Sequence, residues 1–267
     1  MPHAVITGAT SGIGLAFARQ LAAEGYDLTL VAGTRSVLED VASDLRRTGT
    51  GRTTPLAADL ASPAGSAEVA DHLRAQAPDL LVNNAGTLLA EPFPDHPLEA
   101  EEHLLDLNVR AVLRLTHAVL PAMLGRGSGQ IINVSSFCSV GLSAMGSTYP
   151  ASKAWLNAFG QSLTHAHRLR AGNVRIMTLL PGFTRTELFA RTQWETSHLP
   201  DWMWLDSDRV TTVALRDLRR GKTVSVPGRR YRVVTWGLRH LPPALLRHAG
   251  WDCSAPRHLW RTPPAVE

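Results

Sequence analysis

Tyr149 and Lys153 stand four residues apart in the stretch STYPASKAW, with Pro150 directly after the tyrosine. Four residues is about one helical turn, so on a helix the two side chains share a face. Proline suits a first helical position, where its missing N–H is no loss. The stretch therefore reads as a helix beginning at Tyr149–Pro150, with phenol and ammonium side by side at its N-terminal end. A free phenol titrates near pH ~10 and is a poor acid or base at neutrality. A nearby ammonium favours the phenolate and lowers that value, which makes the pair a candidate tuned proton donor. Tyr-x-x-x-Lys alone is common, so the rest of the chain must supply its context.

A second constellation lies at the other end. TGATSGIG, Thr7 to Gly14, follows the apolar run HAVIT and leads into IGLAFARQLAAEG, which has helical spacing. Gly8 permits a sharp turn after the strand, Gly12 a close approach of backbone to a pyrophosphate, and Gly14 close packing of helix on sheet. Thr10, Ser11 and Ile13 complete the turn, and the helix start presents free N–H groups and a positive dipole end to phosphate. An NAD site carries an acid at the end of the second strand for the ribose 2′-OH. Here that end reads LVAGTRS, with no acid between Leu28 and Leu38 and with Arg35 flanked by Thr34 and Ser36. A cation there favours the 2′-phosphate of NADP, and NAD stays open.

These residues need a scaffold, and the chain alternates strand and helix from its start. Strands are expected at HAVIT, DLTLVA, TTPLAAD, DLLVNNAG, QIINVSS, NVRIMTLLPG and KTVSVPG. Helices are expected at IGLAFARQLAAEG, VLEDVASDLRRTG, SAEVADHLRAQ, around EEHLLDLNVRAVLRLTHAVLPAML, and from Pro150 to about Arg170. Several strands are apolar throughout, as in a parallel sheet covered on both faces. The fold class is α/β: a doubly wound, mostly parallel, Rossmann-like sheet with helices on both faces. Residues 1–267 read as one domain, with 187–267 a substrate lid and basic C-terminal extension within it.

Composition narrows the class. The 267 residues are 44% hydrophobic and 19% charged, as in a globular protein. No apolar run reaches membrane-spanning length, and MPHAVITGAT lacks the charged region and cleavage site of a signal peptide. Two cysteines, Cys138 and Cys253, form no CxxC pair, which fits a cytoplasmic location. No metal site is expected: His165 and His167, only two apart on a helix, diverge. The net charge is +4, yet Leu218 to Trp251 holds eight Lys or Arg and no acid, so the remainder carries about −4 (4 minus 8).

TGATSGIG, NNAG and YPASK, in this order and on these elements, together resemble the short-chain dehydrogenase/reductase family, over roughly Ala4 to Thr186. The resemblance implies that Tyr149 is the catalytic acid/base and that Lys153 lowers its pKa and bonds the nicotinamide ribose. It implies that Ser136, thirteen residues before the tyrosine, orients the substrate carbonyl, and that Asn108 of LDLNVRA supports a proton relay. It further implies adenine contact by Asp59 and Leu60, and an adenosine-side lining that braces the central strand from Asn83, Ala85 and Gly86. PGFTRT would hold the nicotinamide, through Pro181, Gly182 and Thr184 or Thr186. Relatives with this turn often carry Arg directly after the second strand, where this chain has Gly33. The resemblance fades after Thr186, and it implies a homodimer or homotetramer.

The expected activity is hydride transfer between NADP and a carbonyl or alcohol. Trp194, Trp202, Met203 and Trp204 in the lid region suggest a bulky or apolar ketone. The basic tail, GRRYRVVTWGLRHLPPALLRHAGW, is compatible with an anionic membrane surface, with an acyl-carrier or CoA-type handle, or with packing on the body or a sister subunit. Nucleic-acid binding is not expected, since no recognition motif accompanies the charge. Two other classes compete with the enzyme: an NADP-binding sensor or scaffold without turnover, and a peripheral membrane protein acting through its tail.

Overall fold

Apolar strand runs alternating with helical spacing give, in the computed structural model, one wound α/β sheet. The structure describes residues 1–49, 51–89, 93–141, 147–192, 196 and 199–241. The strands are β1 (His3–Thr7), β2 (Asp27–Ala32), β3 (Thr53–Ala57), β4 (Leu80–Asn83), β5 (Gly129–Val134), β6 (Val174–Leu179) and β7 (Val224–Ser225). Among the described residues they form one parallel sheet in the order β3-β2-β1-β4-β5-β6-β7. The helices are α1 (Gly12–Ala23), α2 (Arg35–Thr48), α3 (Pro63–Ala75), α4 (Leu98–Leu105), α5 (Ala111–Gly125), α6 (Tyr149–His165), α7 (His167–Ala171), α8 (Glu187–Arg191), α9 (Ser207–Arg219) and α10 (Arg229–His240).

Successive strand residues point to opposite faces, so each central strand feeds two cores. Ala4, Ile6, Leu28, Leu30, Leu80 and Val82 pack with α1, α2 and α9 through Phe17, Leu21, Leu38, Leu45, Val210 and Leu215. Val5, Val31, Leu81 and Ile131 pack with α3 and α5 through Val69, Leu73, Leu115 and Val119. The winding reverses between β1 and β4, which opens a crevice beyond the carboxyl ends of those strands.

Four features depart from the sequence expectation. The long central helix is interrupted: α4 passes into a π-helical turn, Asp106–Arg110, before α5 begins. The helix expected to run to Arg170 breaks at Ala166, whose ψ of 125° is extended, so α6 and α7 are separate. The last strand shrinks to Val224–Ser225. Two further helices, α9 and α10, stand where none was expected. α9 starts cleanly because Asp206 Oδ1 accepts from the Arg209 N–H at 3.0 Å. Among the described residues no helix is long and apolar enough to cross a membrane. Trp194 and the tail beyond Leu241 lie outside the described residues.

Candidate active site

The chain turns at the end of β1 because Gly8 takes φ +65°, and the Gly8 N–H donates to the Val31 carbonyl at 2.8 Å. A side chain at Gly8 would meet Asn84 Nδ2 at 2.9 Å and Ala85 Cα at 3.0 Å. Gly14 is more tightly held: a Cβ there would fall 2.1 Å from the Gly8 carbonyl oxygen. The turn is closed from beneath by Asn84, whose amide donates to the Thr7 and Gly8 carbonyls at 2.9 and 3.2 Å. Thr7 Oγ1 donates to Val82 and accepts from the N–H groups of Asn84 and Ala85, so β1 and β4 are locked where the crevice opens.

That crevice is a cavity of about 580 Å³. Gly8, Thr10, Ser11, Gly12, Ile13, Asp59, Leu60, Ala85, Gly86, Ser136, Tyr149, Lys153, Pro181, Gly182, Thr184 and Thr186 all line it. Of the residues named for this site, Gly14, Arg35, Asn83 and Asn108 are not among the lining residues. Gly14 packs the helix start, as its tight surroundings require. Arg35 begins α2 at 73% exposure and pairs with Glu39 at 3.7 Å, one helical turn on along the same surface. Asn83 braces the sheet: its amide donates to Asn133 Oδ1 at 2.9 Å and Thr116 Oγ1 at 3.2 Å. The cavity neighbour is instead Asn84. The mouth beside β2 consists of Ala32, Gly33 and Thr34, none of them acidic.

Asn108 is fully buried on the π-helical turn. Its Oδ1 accepts from the Thr87 N–H at 2.9 Å, and its Nδ2 donates to the Thr87 carbonyl at 2.9 Å and to Ser152 Oγ at 3.1 Å. Asn108 thus clamps the loop after β4 to α6. Gly86 lies between it and Lys153: a Cβ there would sit 2.9 Å from Asn108 Oδ1 and 3.3 Å from Lys153 Nζ.

Tyr149 and Lys153 occupy the first two turns of α6 on one face, with Pro150 in the helix's first turn. α6 is bound to β5 by Ser135, whose hydroxyl donates to the Lys153 carbonyl at 2.7 Å. Glu101 on α4 reaches the start of α6, accepting from the Thr148 hydroxyl and, at 3.3 Å, from its N–H. The Lys153 ammonium donates to the Val134 carbonyl at 3.1 Å and lies 5.7 Å from the centre of the Tyr149 ring.

Burial governs the protonation of both groups. Burial raises Tyr149 well above the usual phenol range, Cys138 adds to the rise, and a side-chain hydrogen bond with Ser136 opposes it. Burial lowers the Lys153 ammonium to about 8, with Cys138 opposing. Desolvation is the largest cause at both groups and disfavours both charged forms.

Beyond Tyr149 the cavity has an aromatic wall. Phe137 stands 5.3 Å from Phe183 and 5.2 Å from Tyr231, while Trp204 stands 5.4 Å from Phe189 and 6.0 Å from Phe183 (ring centres). Trp202 and Met203 also line the cavity. Tyr231 on α10 fastens the wall. Its hydroxyl accepts from the Phe183 N–H at 3.0 Å and donates to the Met203 carbonyl at 2.6 Å, and burial lifts its pKa to about 12. Sequence reasoning missed Tyr231 in a segment dominated by arginine. Its one visible signal was Thr235 four residues on, the other buried side chain of α10.

The site fits a nicotinamide dinucleotide on three structural counts. A glycine turn admits no side chain at Gly8 or Gly14. A helix start behind it has no side-chain cap and no acid in its first turn. A phenol–ammonium pair lies at the far end of the same cavity.

Comparison with known proteins agrees. The sequence profile described as short chain dehydrogenase matches residues 2–196. An uncharacterised oxidoreductase of Staphylococcus saprophyticus is 32% identical over 72% of this chain and 82% of its own length. A very-long-chain 3-oxoacyl-CoA reductase of Laccaria bicolor is 35% identical over 69% of this chain, which spans 55% of that protein. Among solved structures, a short-chain dehydrogenase from Sphingobium yanoikuyae in complex with NADPH matches with TM-score 0.82 and 33% identity, over 88% of this chain and 92% of that one. A bulky-bulky ketone specific alcohol dehydrogenase from Comamonas testosteroni matches with TM-score 0.76 and 26% identity, over 100% and 97% of the two chains.

Proposed function

The chain belongs to the short-chain dehydrogenase family of nicotinamide-dependent oxidoreductases, and on that footing we propose that it is an NADP-dependent reductase of bulky, apolar ketones. The observation that carries the substrate class is the aromatic wall of Phe137, Phe183, Phe189 and Tyr231, which continues the cavity beyond Tyr149 and is backed by Trp204 against Phe183 and Phe189. Such a wall takes up apolar bulk and leaves the Ser136 and Tyr149 hydroxyls as polar groups to fix a carbonyl. The names borne by the Comamonas and Laccaria relatives point to ketone substrates of that kind. The absence of an acid at Ala32, Gly33 and Thr34 supports NADP over NAD.

The nicotinamide, when bound, supplies the hydride that adds to the carbonyl carbon. This chain's residues do the rest. Ser136 and Tyr149 hold the carbonyl oxygen by hydrogen bonds. Tyr149, protonated at neutral pH as any phenol is, donates to that oxygen as negative charge develops. Lys153, titrating at about 8, then returns a proton to Tyr149 near neutral pH. Asn108 holds the loop beside Lys153 in place through Thr87.

The test is NADPH and NADH oxidation against diaryl and long-chain ketones and 3-oxoacyl thioesters, with wild type beside Tyr149→Phe. Turnover of bulky ketones that drops at least ~100-fold in Y149F supports the reading, that being the low end of general-acid contributions. Equal turnover by the two proteins, or reduction of small polar carbonyls only, overturns it.

A further inference from the structure

Arg191 ends the lid helix α8, and its side chain leaves the lid to reach the glycine turn. Its Nη2 donates to Ser11 Oγ at 2.9 Å, a contact between residues 180 apart in sequence. Ser11 is the N-cap residue of α1, yet its hydroxyl caps no backbone N–H. The first turn of α1 contains no acid either. So the positive end of a twelve-residue helix and an arginine meet at one spot on the cavity wall. Among the described residues Arg191 has no carboxylate partner. Two like potentials placed together without a counter-charge attract an anion.

Among the described residues three cations line the cavity: Lys153, Arg191 and Arg230. Lys153 is committed to the Tyr149 end. Arg230 is turned to Trp202, stacking on its ring at 5.3 Å and donating to its carbonyl. Arg35, the cation expected from sequence, pairs outward with Glu39. Among the described residues Arg191 is the cation seen in contact with the glycine turn, where a phosphate would lie.

We propose that Arg191 is a phosphate-binding residue for the dinucleotide, contributed by the lid rather than by the end of β2. The proposal rests on the dinucleotide reading of this cavity. On binding, the guanidinium exchanges a neutral hydroxyl, Ser11 Oγ, for a phosphate oxygen, a stronger charge-assisted partner. Leu188 and Phe189 share α8 with Arg191 and line the same cavity. The pyrophosphate and the 2′-phosphate both offer this chemistry, and only NADPH carries the latter.

The experiment measures the Kd of NADPH and of NADH by fluorescence titration of wild type, Arg191→Gln and Arg191→Lys, without ketone. Loss of one charge-assisted bond predicts about tenfold weaker binding in R191Q, recovered in part by R191K. Weakening of both nucleotides assigns Arg191 to the pyrophosphate. Weakening of NADPH alone assigns it to the 2′-phosphate. Circular dichroism and thermal midpoints establish that the variants fold. If wild type binds and R191Q binds as tightly, Arg191's part is overturned while the dinucleotide reading stands. If wild type binds neither nucleotide, both fall together.

Discussion

Lys153→Met should destroy turnover and yet make the protein more stable at neutral pH. The ammonium is buried, and burial lowers its pKa from 10.5 to about 8. At 1.36 kcal/mol per unit, holding the buried lysine protonated at pH 7 costs about 3 kcal/mol. Its hydrogen bond to the Val134 carbonyl returns about 1 kcal/mol. Methionine has similar length, no charge and no donor, so the variant should gain about 2 kcal/mol at pH 7. The sign with pH follows from the lowered folded value. Between about 8 and 10.5 the unfolded chain binds more protons than the folded one, so wild-type stability rises with pH through that window. Raising the pH from 7 to about 9.5 should therefore recover about 2 kcal/mol of the wild type's deficit, and the two proteins should converge. Guanidinium unfolding midpoints of both, taken at steps across that range, give the difference directly, with other titrating groups cancelling. A difference that stays flat with pH, or a variant less stable than wild type at pH 7, would refute the argument that desolvation governs this pair.

Tyr231→Phe keeps the ring and removes only the hydroxyl, and with it the buried bonds to the Phe183 N–H and the Met203 carbonyl. Unfolding midpoints should report a loss of about 2–3 kcal/mol, and the KM for a bulky ketone should rise more than the Kd for NADPH; a loss under about 0.5 kcal/mol would contradict this role. Asp217 is buried; burial raises its pKa, but bonds from Lys222, Ser225 and Arg216 outweigh that and hold it below the usual carboxylate value of 3.8. A lowered acid stabilises the fold above its unfolded pKa and ceases to do so as pH falls through its folded value. Wild type should accordingly be more stable than Asp217→Asn at pH 7 and lose that advantage below pH 3.8 in urea titrations; an advantage that persists there would exclude the ion pair as its source.

The cofactor half of the molecule was legible in the sequence because its parts are local. Gly8, Gly12 and Gly14 sit within one β–α turn, and Tyr149 and Lys153 within two turns of one helix. Apolar runs such as Val5–Ile6 and Leu80–Val82 announce strands buried on both faces. What could not be read were properties set between elements. No residue type in LDLNVRA marks a π-helical turn, yet that turn carries Asn108 into its contacts with Thr87 and Ser152. A basic residue near the end of β2 suggested a phosphate partner; Arg35 stands at the start of α2, where Glu39 lies one turn on at 3.7 Å. α9 was legible in principle: Asp206 as cap and Val210, Ala214 and Leu218 at four-residue spacing are an ordinary helical signature. In α10 only Tyr231 and Thr235 are buried among arginines, too few to stand out as an apolar stripe.

The same distinction bears on how the two halves of the cavity can change. The dinucleotide side is built from the turns that follow β1 and β4, held by hydrogen bonds to backbone such as Gly8 N–H to the Val31 carbonyl and the Asn84 side-chain amide to the Gly8 carbonyl. A substitution there meets backbone, as the 2.1 Å approach at Gly14 illustrates. The substrate side is assembled from four separate stretches, carrying Phe137, Phe183 with Phe189, Met203 with Trp204, and Tyr231, which touch through ring contacts. Ring contacts tolerate volume-conserving exchange far better than backbone packing does. Substrate preference can thus drift by exchanges along α8, α10 and the Trp202–Trp204 segment while the cofactor turn stays intact. Arg191 limits that freedom, since it belongs to the lid by chain position and to the glycine turn by contact. If Arg191 holds a phosphate as proposed, a wall redesigned for a different substrate would have to keep an arginine at that one position, or accept weaker dinucleotide binding as the consequence.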